Sequence, residues 1–191
     1  NKHGATVLDL ATHAPVIDLL KAHGAVYNTL DSEVAAEIGA GKMDVFDKGM
    51  PPELRDKDGN TPLLIAALKN NVTAIAYLVS LGADTRVRNT SWKNNALDMA
   101  CLSGSFDAIR YIVEHLPIDI NALDPESNDT ALHYMAAWQP GYQCKDPAAM
   151  KKMADETCIW MIQQGAAVDL KNKSGKTAPD MARTKKLATQ I

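Results

Sequence analysis

The sequence predicts an all-α solenoid: stacked helix-turn-helix pairs joined by β-hairpin-like loops. Three observations predict it. A phrase recurs along the chain, first as Asp58-Gly59-Asn60-Thr61-Pro62-Leu63 followed by Ala66-Ala67, Ile75-Ala76-Tyr77-Leu78 and Gly82-Ala83-Asp84. About 34 residues later it returns as Asn95-Ala96-Leu97-Asp98, Ala100-Cys101, Ser103-Gly104 and Ile109–Ile112, and again as Asp129–His133 and Ala136-Ala137, ending at Gly165-Ala166. A fixed period of this size marks small units that cannot bury their apolar faces alone. The apolar residues also keep helical spacing, and the 191 residues are 46% apolar and 23% charged, the balance of a soluble folded chain.

Each part of the phrase has a physical reason. Asp58 and Gly59 supply turn chemistry. Thr61 is placed to cap a helix, and Pro62 suits its first turn, where a missing N–H costs nothing. Ala66-Ala67 lets that short helix approach its neighbours closely. Asn70, Gly39 and Gly104 stand where the first helix ends and the chain reverses, a place suited to left-handed backbone. Ile75, Leu78 and Val79 give the second helix one apolar stripe, and Gly82 stops it.

This grammar resembles the ankyrin repeat over nearly the whole chain, most specifically at Asp58–Asp84 and Thr130–Ala137. The resemblance implies one domain, 1–191, of about six units. Residues 1–28 are a shortened unit and 29–55 a degraded one that keeps Ala35-Ala36 and Gly39. Residues 56–88 and 89–123 are close to full repeats. Residues 124–171 carry an insertion, and 172–191 form a closing cap. His133 stands at the family's Thr-Pro-Leu-His position, which implies a hydrogen-bonding structural role between repeats.

Three departures matter. The unit at 1–28 looks like one that ends an array; it either closes an upstream array or caps this one. In the fifth unit Ala136 and Gly165 lie 29 residues apart, against 15 between Ala67 and Gly82. The extra segment, 139–152, contains Pro140-Gly141 and Asp146-Pro147, so it is expected to bulge as a loop with Pro147–Met153 helical. Pro179 replaces the leucine of Leu63, Leu97 and Leu132, which predicts a frayed last repeat.

Charge and cysteine usage narrow the function. The net charge is −3, yet residues 171–191 hold six bases against Asp180 and are +5, leaving −8 for the rest. The basic end reads as a solvated cap, with contact to an anionic surface as the alternative. Nucleic acid is not an expected partner, since no basic stripe interleaved with aromatics appears. Cys101, Cys144 and Cys158 lack a disulfide framework, which points to reduced thiols and an intracellular, cytoplasmic setting. Cys101 and Cys158 are expected as core fillers. No 18-residue apolar run offers a membrane span.

No catalytic, cofactor or metal constellation emerges, so enzyme activity is not expected. His3, His13 and His23 recur every ten residues, which fits neither a helical face nor a zinc pattern. Gly39-Ala40-Gly41-Lys42 lacks the spacing of a phosphate loop. In the ankyrin architecture, hairpin tips and the exposed face of each first helix form a concave groove, and the resemblance implies a protein partner there rather than a small molecule. Alignment of the units brings Trp92, Trp138, Tyr142, Lys57, Asp58, Lys69, Arg88, Asn94, Ser103 and Asp129 toward that face. Trp92 stands at a hairpin tip, Trp138 at the end of a first helix, and Tyr142 in the insertion. Aromatic and Arg residues dominate interface energy. The competing reading folds Trp92 over its own hairpin and buries Trp138 under the insertion.

Two other functions remain open: a targeting segment of a larger protein, such as an enzyme, a channel or a secreted bacterial effector acting in a host cytosol, and a small inhibitor or immunity-type protein using 139–152 as a plug.

Overall fold

The computed structural model describes residues 30, 32–47, 49–141 and 144–191, so the unit expected at 1–28 lies outside the described residues. These residues form helices and loops, with no strand among them. In chain order the helices are α1 (Ser32–Gly39), α2 (Asp44–Asp47), α3 (Pro62–Leu68), α4 (Val72–Ser80), α5 (Ala96–Ser103) and α6 (Phe106–His115). They continue with α7 (Ala131–Ala137), α8 (Pro147–Gln163), α9 (Ala178–Met181) and α10 (Lys185–Gln190).

The first helices stack in series: α1 on α3, α3 on α5, α5 on α7 and α7 on α9. Small side chains permit this. Ala66, Ala67, Ala96, Ala100, Cys101 and Ala136 are all fully buried, so backbones meet where larger residues would hold them apart. The second helices α4, α6 and α8 pack behind, burying Ile75, Leu78, Ile109, Ile112, Cys158 and Met161. One continuous apolar core results, in which every pair contributes half of each interface. Both buried cysteines are fillers, as expected, and burial raises both thiols, Cys158 to about 12, so neither is a thiolate near neutral pH.

The turns are fixed by amides. Asn70 takes left-handed φ 57° and reaches the next pair, its Oδ1 accepting from Ala108 N–H at 2.9 Å and its Nδ2 donating to Asp107. Asn71 caps α4 through Ala74 N–H and donates back to the Gly39 carbonyl. Gly104 is left-handed, as expected. Gly39 instead closes α1 in helical backbone, and Gly41 takes the positive φ two residues later.

One capping expectation changes. Thr61 sits at the N-cap of α3 without a side-chain bond, and its buried hydroxyl has no partner. Its counterparts have a polar residue at the third helical position: Thr130 faces His133 Nδ1 at 2.8 Å, and Thr177 donates to Asp180. Leu64 at that position in α3 offers nothing. His133, fully buried, also reaches the Lys176 carbonyl at 3.1 Å, joining α7 to the last hairpin.

The extra length of the fifth unit is divided between loop and helix. The chain leaves α7 at Trp138, and Asp146 accepts from Ala149 N–H to start α8. That helix then runs 17 residues without a break, against nine in α4 and ten in α6. Residues from Pro147 onward are therefore the first turns of the second helix.

The chain end is packed rather than frayed. Pro179 falls in the first turn of α9, where its lost N–H is harmless, and Ala178 and Leu187 are buried. Arg183, expected in a solvated basic cap, is 2% exposed at its side chain. It donates to the Met135, Ala136 and Lys151 carbonyls and pairs with Asp155.

Candidate functional site

The hairpin loops repeat one device. Asp56, Asn89, Asp124 and Asn172 each accept two loop N–H groups on Oδ1, from Asp58 and Asn60, Trp92 and Asn94, Glu126 and Ser127, and Ser174 and Lys176. Adjacent tips are then tied backbone to backbone, Ser91 N–H to the Asp58 carbonyl and Lys173 N–H to the Ser127 carbonyl. The tips thus form a braced row, and side chains that take no part in the bracing project from it.

The ten expected partner-facing residues divide sharply. Trp92 is 70% exposed while its backbone N–H is held by Asn89 at 3.1 Å, so a fixed loop presents a free indole. Lys57, Asp58 and Lys69 are exposed as well. Tyr142 lies outside the described residues.

Of the other five, four are occupied within the protein, and Asn94 is buried with its Oδ1 unpartnered. Arg88 donates to the Lys93 carbonyl at 2.6 Å, to the Leu123 carbonyl at 3.2 Å and to Asp98 at 3.3 Å. Arg55 does the same one unit earlier, bonding the Gly59 and Arg88 carbonyls, so the arginines are cross-braces between hairpins. Asn94 and Asp129 are buried, and Asp129 accepts from Asn172 at 2.8 Å. Ser103 turns its hydroxyl onto the Met99 and Ala100 carbonyls and Ser105. Trp138 is half-buried, edge-on to Phe106 at 5.5 Å between centroids, and lies over Gly104, where an added Cβ would stand 2.3 Å from the indole.

Residues outside that group of ten complete the face. Leu102 is 44% exposed, Glu126 is exposed, and Tyr134 donates to the Asp124 carboxylate at 3.1 Å. Burial, reinforced by that carboxylate, pushes the Tyr134 phenol above its ordinary range, so it stays a proton donor. Together with Trp92, Asn94, Asp124 and Ser127 they line a notch of about 350 Å³ between neighbouring hairpins. Among the described residues no three His, Cys, Asp or Glu side chains converge to hold a metal, and no helix is long and apolar enough to cross a membrane.

Stacked helix pairs linked by braced hairpins define a helical repeat protein. Residues 34–124 match the family model of ankyrin repeats, in three copies, and the chain belongs to that family. It is 32% identical over 137 residues to E3 ubiquitin-protein ligase KEG of Arabidopsis thaliana, covering 69% of this chain and 8% of that protein. It is 29% identical over 130 residues to alpha-latroinsectotoxin-Lt1a of Latrodectus tredecimguttatus, covering 68% and 8%. With human transient receptor potential cation channel subfamily A member 1 it shares 34% identity over 77 residues, covering 40% and 7%. The chain thus spans less than a tenth of the length of these relatives. Ankyrin repeats generally serve as protein-protein interaction modules and are typically not enzymes.

Proposed function

We propose that this chain docks a protein partner on the face formed by its hairpin tips and first helices, with Trp92 as principal anchor. The observation that carries the reading is the 70% exposed indole on a loop whose backbone is fixed by Asn89. A large apolar side chain that contributes nothing to the core, yet loses little freedom on binding, is what an interface anchor requires. Lys57, Asp58 and Lys69 supply a polar rim on the neighbouring hairpin and first helix. The reading places the protein in a reducing, intracellular setting, supported by three unpaired cysteines.

Affinity purification on immobilised wild type and Trp92→Ala, read by mass spectrometry, tests it. A partner recovered by wild type and depleted in the variant is expected. Equal recovery of every partner would overturn the choice of anchor.

A second reading has its own support. Coverage of about 8% of KEG and of the latroinsectotoxin favours a targeting segment within a longer polypeptide. An immunoblot of source cells with antibody to this chain is expected to show a band well above 20.6 kDa, and a single band at that mass would overturn it.

A further inference from the structure

We propose that the notch between Trp92 and Tyr134 receives an arginine or lysine side chain of the partner protein, stacked on the indole with its charged head at Glu126. This inference rests on the docking face proposed above and assigns the chemistry of its central contact.

Four observations converge. The notch, about 350 Å³, offers apolar walls for an alkyl stem in Trp92, Leu102 and the Tyr134 ring. Both Trp92 and Leu102 are well exposed, at 70% and 44%, so burying them under a partner removes apolar area from water. An uncovered indole face attracts a cation through its quadrupole. The charge in the lining is acidic only, from Asp124 and Glu126.

The two acids differ in what they can still do. Asp124 is spent: Oδ1 accepts from Glu126 and Ser127 N–H groups, and Oδ2 accepts from Tyr134. The Glu126 carboxylate is exposed and pairs with no cation among the described residues. Lysines on the flanking hairpins hold their ammonium groups on carbonyls rather than on this carboxylate, Lys93 on that of Thr90 and Lys173 on that of Pro125. The wall also contains Asn94, 6% exposed, whose Oδ1 is buried without any hydrogen-bond partner. Such an acceptor is costly unless a donor arrives, and guanidinium and ammonium groups carry only donors. Apolar walls, a free acid, an open indole and an orphan acceptor suit a long side chain ending in a cation. A glutamate would meet Glu126, and a purely apolar residue would leave Asn94 unsatisfied.

The test uses the whole chain labelled with 15N and three pentapeptides, Ac-Ala-Ala-Arg-Ala-Ala-NH2 and its norleucine and glutamate counterparts, titrated to millimolar concentration. The arginine peptide is expected to shift the Trp92 indole and Asn94 carboxamide signals saturably, and the other two are not. Glu126→Gln and Trp92→Ala should each weaken the arginine peptide about fivefold, read on Asn94, with the remaining spectrum unchanged. Equal shifts from norleucine, or none from arginine, would overturn the proposal. So would the same shifts on concentrating the protein alone, which would put a second copy in the notch. Against a captured partner, loss with Trp92→Ala but full binding by Glu126→Gln would leave the face standing and overturn the basic-residue site.

Discussion

The Arg88 guanidinium stands 3.3 Å from the carboxylate of Asp98, a side chain only 1% exposed. Asp98 also accepts from Asn95 N–H, completing the cap of α5, while its second oxygen is buried without a partner. Burial is the largest influence on the acid and lifts it from 3.8 to about 6, although the Asn95 bond and Arg88 pull the other way. An acid raised on folding stabilises the protein fully below its unfolded pKa and loses that contribution as pH rises through the folded one. The window is therefore pH 4 to 7. Urea unfolding of wild type and Asp98→Asn should show the variant gaining on wild type across that window, by on the order of 2 kcal/mol. A pH-independent difference between them would contradict the account.

Gly59 offers a cleaner probe of the inter-unit bracing. It has φ 78°, and an added Cβ would lie 2.0 Å from Thr90 Oγ1 and 2.5 Å from the Thr90 backbone nitrogen of the next hairpin. Gly82 has nearly the same φ, 84°, with nothing within 4 Å. Gly82→Ala should thus cost only the backbone strain, about 1 kcal/mol, and Gly59→Ala about 2–4 kcal/mol. Chemical denaturation of both variants checks it. Equal losses would mean the hairpins separate freely.

The repeat register carried the helices into view because each small, apolar and turn residue answers a demand that recurs in every unit. It served less well for the face. Register says that a residue sits in a loop, not whether its side chain folds back on the backbone, and so it does not separate Arg88, Ser103 and Asp129 from Trp92. A signal was present: Arg55 and Arg88 occupy one register position, and so do Asp56, Asn89, Asp124 and Asn172. A polar residue that recurs at one position serves the stack, whereas Trp92 has no such echo. The Arg183 clamp had no signal, because its partners are backbone carbonyls from Met135, Ala136 and Lys151, which any sequence presents.

Trp92 and Trp138 should behave as opposites. The first contributes to no core, so Trp92→Ala should leave stability within about 0.5 kcal/mol of wild type while weakening a partner by roughly 2 kcal/mol. The second packs edge-on to Phe106 and covers Gly104, so Trp138→Ala should cost about 3 kcal/mol of stability. Thermal unfolding separates them, and a stability loss in Trp92→Ala equal to that in Trp138→Ala would refute the division.

Arg183 joins the last turn of α7 to the early turns of α8, and its removal should loosen only that end. The guanidinium adds a second donor to the Met135 and Ala136 carbonyls, which also accept the Trp138 and Arg183 backbone N–H groups, and it pairs with Asp155, itself 30% exposed. Arg183→Ala leaves each of those carbonyls its backbone donor, and Asp155 can turn to water, so the expected cost, from lost charge-assisted bonds and a lost packed side chain, is about 1–2 kcal/mol. Arg183→Lys should recover little, since one ammonium cannot span carbonyls on two helices and the acid together. In a stack where each unit touches only its neighbours, the damage should stay local. Hydrogen exchange should show lost amide protection over 131–155 and 178–190, with α3 and α5 protected as in wild type. Uniform loss across the chain would mean instead that the units unfold as one cooperative block.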